Sequence, residues 1–188
     1  MKNKFATIVL GIALIISVSF NLYFLRNLSN NNYGNRDGFV AIGQRGQQSG
    51  DIGVTAVPSS EELEELETEV IRLTNEYRIS LGLNELTQDD QLTYVARIRA
   101  EEIVTNWSHE RSDGTYYYDI LDAIQYPSPL VGENLAKGQD SASEAMEMWK
   151  ESPSHNANLI ESDFTKIGVG VYFFEETGRL YYVQIFAQ

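Results

Sequence analysis

One apolar run near the N-terminus constrains this chain more than any other feature. Lys2 and Lys4 precede a largely apolar segment, residues 5–25, and about 20 such residues suffice to cross a bilayer. Residues 1–26 are therefore predicted to enter a membrane, either as an uncleaved anchor or as a signal peptide removed after Ser17-Val18-Ser19. A buried core helix is the remaining alternative. Because the basic residues precede the run, everything after it is expected outside the cytoplasm.

The next segment, residues 27–59, is rich in asparagine and glycine. It offers too little apolar surface to offset the entropy lost on folding, so it is predicted to be a flexible linker. A coil of this length spans about 30 Å, which would keep a domain close to a membrane. The folded domain is therefore expected at residues 60–188.

Charge and cysteine content exclude several classes of function. Residues 1–59 carry five basic and two acidic residues, whereas residues 60–188 carry nine basic and 25 acidic ones, and the whole chain has a net charge of −13. Nucleic acid is therefore an unsuitable partner for the domain. Cysteine is absent, which rules out disulfides, thiolate metal sites and a cysteine nucleophile. Any chemistry must use oxygen groups and the two histidines.

Apolar periodicity and capping residues predict a helical first part of the domain. Leucine, valine and tyrosine recur every three or four residues over 61–81, and acidic residues lie off that stripe, which is typical of an amphipathic helix. Three further helices are predicted: one that opens with a capping box at Thr87 and Asp90 and ends near Trp107, a short one over 116–125, and one from Ser141 to just before Pro153.

The last part of the domain changes to a strand period. Residues 167–174 and 180–186 are rich in valine, isoleucine and aromatic residues, and the four residues 175–178 between them form a hairpin loop. Both faces of the first strand carry apolar side chains, so each face needs a covering layer. The sequence therefore predicts an α+β fold of three layers, an α-β-α sandwich with a C-terminal β-hairpin.

Five short motifs, in order, resemble those of the CAP superfamily, which includes cysteine-rich secretory proteins, antigen 5 and class 1 pathogenesis-related proteins. The similarity is to its cysteine-free bacterial branch, the SCP-like extracellular domain, over about residues 64–188. The motifs are Ser108-His109, Gly132-Glu133-Asn134, Trp149 with Ser152-Pro153-Ser154-His155 and Asn158, Ile167-Gly168-Val169-Gly170, and Tyr182-Val183-Gln184-Ile185-Phe186.

The resemblance implies an α-β-α sandwich with a shallow cleft into which two histidines and two glutamates project, and in some members the histidines hold a divalent metal. His109, Glu133 and His155 match three of these four positions, as candidate catalytic and metal-binding residues. The second family glutamate corresponds to Ser152, with Glu151 beside it. This departure leaves the family tetrad incomplete.

The residues themselves allow three roles for this trio. Two neutral imidazoles and one carboxylate are a catalytic zinc set, with the fourth position left to water. Without metal, a histidine polarised by the carboxylate could act as a general acid or base, with Ser108, Ser152 or Ser154 as nearby hydroxyls. As a third alternative, the histidine and the glutamate hydrogen-bond to each other and only hold the cleft together.

We therefore interpret the chain as an extracytoplasmic CAP-like domain that is tethered to a membrane or secreted. The expected role is a ligand-binding or scaffold module at the cell surface, for a lipid, glycan or peptide ligand, with no nucleic acid partner. Its cleft is expected to bind a divalent metal such as zinc. The alternative is a metal-dependent hydrolase of a cell-surface peptide, glycan or lipid ester. Tyr116, Tyr117, Tyr118 and Tyr126 follow the first histidine and either rim the cleft or pack on the surface.

Overall fold

A computed structural model describes residues 57–188, in which five helices surround one four-stranded sheet. In chain order, the elements are α1 (Ser60–Ser80), β1 (Thr87–Gln88), α2 (Asp90–Thr105), α3 (Tyr117–Ala123), β2 (Val131–Lys137), α4 (Ala142–Glu151), α5 (Pro153–Ile160), β3 (Lys166–Phe174) and β4 (Arg179–Ala187). The predicted segment 1–26 and all but the last three residues of 27–59 lie outside the described residues.

The sheet has the strand order β1-β3-β4-β2. The β3–β4 hairpin is antiparallel, with Ile167 opposite Phe186, and β2 pairs antiparallel with the other edge of β4, with Asn134 opposite Gln184. The short β1 runs parallel to the start of β3. The hairpin is therefore the centre of the sheet, and β2 forms one edge of it.

Helices cover both faces of the sheet. Side chains alternate between faces along a strand, and in β4 Tyr182 and Phe186 pack with α1, α4 and α5, whereas Val183 and Ile185 pack with α2 and α3. Trp149 of α4 is completely buried in the first of these two cores. The mixed α/β fold predicted from the sequence is confirmed, and the two apolar faces of the hairpin are the reason for helices on each side.

Helix α2 lies unusually close to β3 because two glycines face it. A Cβ atom added to Gly168 would lie 2.1 Å from the backbone of Leu92, and one added to Gly170 would lie 2.3 Å from that of Ala96. Real Cβ atoms do not approach other atoms this closely, so only glycine fits at either position. This contact places α2, and the loop that follows it, over the sheet.

Three details of the sequence prediction need correction. Thr87 does not open a helix. It lies in β1, and the N-cap of α2 is Asp89, whose Oδ1 accepts hydrogen bonds from the amides of Gln91 and Leu92. The strand β2 was not predicted, and the chain continues past Pro153 as helix α5, in which this proline occupies the first turn. Proline is tolerated there because the first amides of a helix have no intrahelical acceptor.

The other predicted elements are confirmed within a residue or two. Helices α1, α3 and α4 and both hairpin strands lie where periodicity indicated. Within residues 57–188, none of the helices is both long and apolar enough to span a bilayer.

Candidate functional site

The candidate site is built around Glu133 on the edge strand β2. Its side chain has no exposed surface, and each carboxylate oxygen accepts a hydrogen bond. The Nδ1 of His109 donates to Oε1 over 2.7 Å, and the Nε of Arg99 donates to Oε2 over 2.8 Å. The structure therefore brings His109 and Glu133 into direct contact, although 24 residues separate them in the chain.

Arg99 is a site residue that sequence reasoning missed. It projects from α2 with no exposed surface, and it donates to Glu133, to Glu102 over 2.8 Å and to the carbonyl oxygen of Ser108 over 2.7 Å. It thus holds both Glu133 and the backbone next to His109. The signal in the sequence was a charged residue three positions after Ala96, on the apolar stripe of the helix.

A series of ion pairs extends from the buried Glu133 through Arg99 and Glu102 to the partly exposed Arg111. Glu102 bridges Arg99 and Arg111. Burial opposes the ionised form of Glu102, but hydrogen bonds from Arg111 and Arg99 outweigh it and lower the pKa of this carboxyl. Burial likewise disfavours the charge on Arg99, yet the hydrogen bond with Glu133 and its charge raise the pKa of the guanidinium. Glu102 and Arg99 are therefore both charged at neutral pH.

His155 enters the site from the first turns of α5. Its Nδ1 is buried and has no hydrogen-bond partner in the described part of the chain. Burial lowers the pKa of this imidazole, and the charge of His109 lowers it further. Both effects favour the neutral form of the His155 ring.

The hydrogen bond to Glu133 fixes the tautomer of His109. A carboxylate only accepts, so Nδ1 carries the proton and Nε2 of a neutral ring keeps its lone pair. The side chain is 53% exposed. His109 is thus oriented by a buried carboxylate and presents a free nitrogen, as in a metal-ligating histidine or a general base.

The residues that could hold a divalent ion through imidazole nitrogens are His109 and His155, and Nδ1 of His155 has no hydrogen-bond partner within residues 57–188. Glu133 would orient His109 and would not bind the ion itself, because its two oxygens already accept hydrogen bonds from Arg99 and His109. Among residues 57–188, no group of three or more histidine, aspartate or glutamate side chains is arranged to hold an ion. Such a site would therefore rest on two protein ligands, with water completing the coordination.

The hydroxyls of the serines near the histidines form hydrogen bonds with groups other than the two imidazoles. Ser108 Oγ accepts from the amide of Glu110, and the hydroxyls of Ser152 and Ser154 lie 3.3 Å apart. Ser152 is the N-cap residue of α5. At the position of the second family glutamate, the chain therefore has a hydroxyl bonded to its neighbour, and Glu151 beside it is exposed.

Tyr117 lies beside strand β2, where its hydroxyl donates to the carbonyl oxygen of Val131 over 3.3 Å. Burial raises the pKa of Tyr117 to about 12, and the charge of Glu133 contributes to the shift. Tyr116 and Tyr118 are 37% and 41% exposed, and their rings stack with centroids 5.2 Å apart. The structure thus places Tyr117 against the site and leaves the other two as an exposed aromatic pair.

Comparison with known proteins agrees with the fold described above. The family model described as "CAP: Cysteine-rich secretory protein family" matches residues 71–186. The uncharacterized protein YkwD of Bacillus subtilis is 31% identical over 129 residues, 68% of this chain and 48% of that protein. This chain thus spans about half the length of that relative.

Two solved structures are also similar. An extracellular protein containing a SCP domain from Bacillus anthracis is 26% identical, with a TM-score of 0.61 over 71% of this chain and 45% of that one. An outer surface protein from Borrelia burgdorferi is 28% identical, with a TM-score of 0.57 over 70% of this chain and 96% of that one.

Proposed function

The chain belongs to the cysteine-rich secretory protein (CAP) family, and from that premise we propose that it is a ligand-binding or scaffold module at the cell surface. Its ligand is a lipid, glycan or peptide of the cell envelope. Its cleft holds a divalent metal, such as zinc, between His109 and His155. Both similar solved proteins carry surface or extracellular names, which supports this location.

One observation carries the choice of binding over turnover. The only carboxylate among the family-matched positions, Glu133, has both oxygens engaged, by His109 and by Arg99. The position of the second family glutamate is Ser152, whose hydroxyl lies against Ser154. The cleft thus combines a rigid, preorganised core with few free acid–base groups, as suits a recognition site.

The tether completes the proposal. Residues 1–26 insert into the membrane as an anchor or are removed as a signal peptide, and residues 27–59 link them to the domain over 60–188. Lys2 and Lys4 place the domain on the extracytoplasmic side. Protease added to intact cells should therefore cleave the linker, and protection of the linker would overturn this orientation.

Zinc binding tests the metal component. Equilibrium dialysis of the purified full chain against zinc should show binding at pH 7.5 that is lost as the pH falls through about 6.5, because protonated imidazole cannot ligate. His109→Ala and His155→Ala should each abolish it. Ser154→Ala, an exposed neighbour of His155, is the matched control and should bind as wild type does. Equal zinc binding by wild type and both histidine variants would refute the site.

Co-sedimentation tests the ligand component. The protein should sediment with purified cell-wall glycan or with lipid vesicles, and the ligand should be unchanged in mass afterwards. Because residues 1–26 would insert into vesicles in any variant, a vesicle result counts only as a difference from the Tyr118→Ala variant. Tyr118→Ala removes half of the exposed aromatic pair, whose ring faces suit sugars and acyl chains, and should weaken retention. Failure to retain the protein on any cell-envelope component would contradict a binding role.

One observation favours a second function, hydrolysis of a cell-surface peptide, glycan or lipid ester. The Glu133–His109 pair leaves Nε2 of an exposed imidazole free to take a proton from water or a hydroxyl. Mass spectrometry of the same co-sedimentation supernatants would reveal released products. Products that appear with wild type and not with His109→Ala would establish this function in place of simple binding.

A further inference from the structure

A series of buried hydrogen bonds runs from helix α1 to the main chain of His155 in helix α5. Thr74 of α1, Gln184 of β4 and Asn134 of β2 are all completely buried. Gln184 Nε2 donates to Thr74 Oγ1 over 2.8 Å, and Asn134 Nδ2 donates over 3.1 Å both to Gln184 Oε1 and to the carbonyl oxygen of His155. The core is thereby connected to the main chain of a proposed ligand residue.

Donor and acceptor chemistry allows only one orientation of each amide in this hydrogen-bond series. The hydroxyl of Thr74 donates to the carbonyl oxygen of Val70, which can only accept, so its oxygen is left to accept from Gln184. The amide oxygen of Gln184 must then face Asn134. Asn134 must in turn present its NH₂ group, which leaves both of its hydrogens for Gln184 and the carbonyl oxygen of His155.

Asn158 closes the arrangement on the side of the cleft. Its Nδ2 donates to Asn134 Oδ1 over 2.8 Å and to the carbonyl oxygen of Glu133 over 3.1 Å. Asn134 thus donates to the main chain of His155, and Asn158 donates to the main chain of Glu133. These are the two points whose separation determines where the His155 ring stands relative to the Glu133–His109 pair.

We propose that Asn134 and Asn158 are positioning residues, a two-amide clamp that sets His155 against Glu133 and His109, and that Thr74 and Gln184 fix the orientation of the clamp from the core. This rests on the proposed function of the cleft. If the Asn134 amide turned over, its oxygen would face two other oxygens in a buried place, where an unpaired polar group is costly. The orientation of Asn134 is therefore fixed both by the carbonyl oxygen of His155 and, through Gln184, by a hydroxyl in α1.

The chain provides a matched pair of threonines for the test. Thr74→Val removes the hydroxyl that orients Gln184, whereas Thr93→Val removes a hydroxyl that is also buried but has no hydrogen-bond partner within residues 57–188. The two substitutions are chemically identical. Thr74→Ser, which keeps a hydroxyl, serves as the rescue variant.

The readout is the environment of His155 in the full chain, held in detergent micelles and labelled with ring-¹³C histidine. Since the chain has two histidines, two sets of ring signals are expected, and His155→Ala assigns them. Thr74→Val should displace the His155 signals and weaken zinc binding about 10-fold, the low end for loss of an outer-shell partner. Thr93→Val and Thr74→Ser should leave both unchanged.

Unchanged His155 signals in a folded Thr74→Val protein would overturn the clamp, because loss of core packing alone lowers stability without moving that ring. Should Thr74→Val not fold, Asn158→Ala removes the clamp at its partly buried end and must displace the same signals. If wild type binds no zinc, the metal component of the proposed function fails, and the ring signals alone decide the clamp.

Discussion

At the scale of single residues, the cost of burial explains why Arg99 and Glu133 come as a pair. Each ionised side chain would lose several kcal/mol on leaving water, and neither has any exposed surface. The guanidinium donates to Glu133, to Glu102 and to a carbonyl oxygen, and both Glu133 oxygens accept. Strong hydrogen bonds thus replace water around both ions. Removal of either side chain would leave the other as a buried charge without its counter-charge.

Glu133→Gln tests this mutual dependence. The substitution leaves Arg99 buried without its fully buried counter-charge, so we expect a loss of about 3 kcal/mol in the free energy of unfolding, as is usual when one partner of a buried pair is removed. Urea denaturation measures it. Glu69→Gln breaks an exposed pair with Arg72 and should cost no more than about 0.5 kcal/mol. Equal losses in the two variants would contradict the argument.

Tyr182 shows the opposite situation, a buried hydroxyl with no hydrogen-bond partner in the described residues. Burial raises the pKa of this phenol, with smaller contributions from the charges of Asp140 and Glu144. Tyr182→Phe deletes only the hydroxyl, so its desolvation cost disappears while the ring still fills the core. The variant should be as stable as wild type or up to about 1 kcal/mol more stable by thermal denaturation. A clear loss of stability would reveal a partner for the hydroxyl.

At the scale of elements, the edge strand β2 has a distinctive protection. The carbonyl oxygens of its alternate residues 131, 133 and 135 accept hydrogen bonds from the side chains of Tyr117, Asn158 and Trp149. An unpaired strand edge otherwise invites pairing with another chain. Side chains of α3, α4 and α5 thus take the place of a neighbouring strand, and the same contacts place α5 and His155 beside the site.

The elements that could be predicted are those whose buried apolar residues recur at the spacing of a helix or a strand. Helices α1 and α4 present one apolar stripe, and the two hairpin strands consist mostly of β-formers, so periodicity located them. Strand β2 was missed because Gly132, Glu133 and Asn134 occupy buried places that apolar residues usually fill. Their burial depends on partners contributed by α2, β4 and α5, which no local pattern contains.

The site shows the same limit. His109, Glu133 and His155 could be singled out by family resemblance, and the direct contact of the first two is visible in the structure. Arg99 could not, because an arginine on an apolar stripe is explained only once Glu133 lies opposite. Asn134 and Gln184 belong to two of the family motifs, but the hydrogen bond between them depends on the register of β2 against β4, which the sequence does not reveal.

The close contact of α2 with β3 leads to a prediction at this scale. Gly168→Ala would place a methyl group within 2.1 Å of helix backbone, which cannot move aside as a side chain can, so we expect a loss of at least about 3 kcal/mol in urea denaturation. Gly178→Ala is the control. It lies in the hairpin loop at φ +64° with nothing within 4 Å of the added Cβ, and should cost about 1 kcal/mol. Similar losses at both glycines would contradict this account.

At the scale of the whole molecule, helix α1 is joined to the rest of the domain by polar as well as apolar contacts. Arg78, completely buried, donates to the carbonyl oxygens of Asn84, Leu159 and Glu161, and so ties α1 to the end of α5. Thr74 joins the same helix to β4. The domain therefore requires α1 in full, and the place where a stable fragment begins depends on the start of this helix.

The start of α1 is a capping box that includes a residue of the predicted linker. Ser59 Oγ accepts from the amide of Glu62, and the amide of Ser59 donates to the Glu62 carboxylate. A fragment of residues 57–188 keeps this cap and every core contact described above, so we expect it to be soluble and cooperatively folded.

A fragment of residues 60–188 should also fold, but with about 1 kcal/mol less stability, the usual cost of losing a serine N-cap. Ser59→Ala in the longer fragment should reproduce that deficit in urea denaturation. If residues 57–188 aggregate or unfold non-cooperatively, the linker or the N-terminal segment contributes to the core and the predicted domain boundary is wrong.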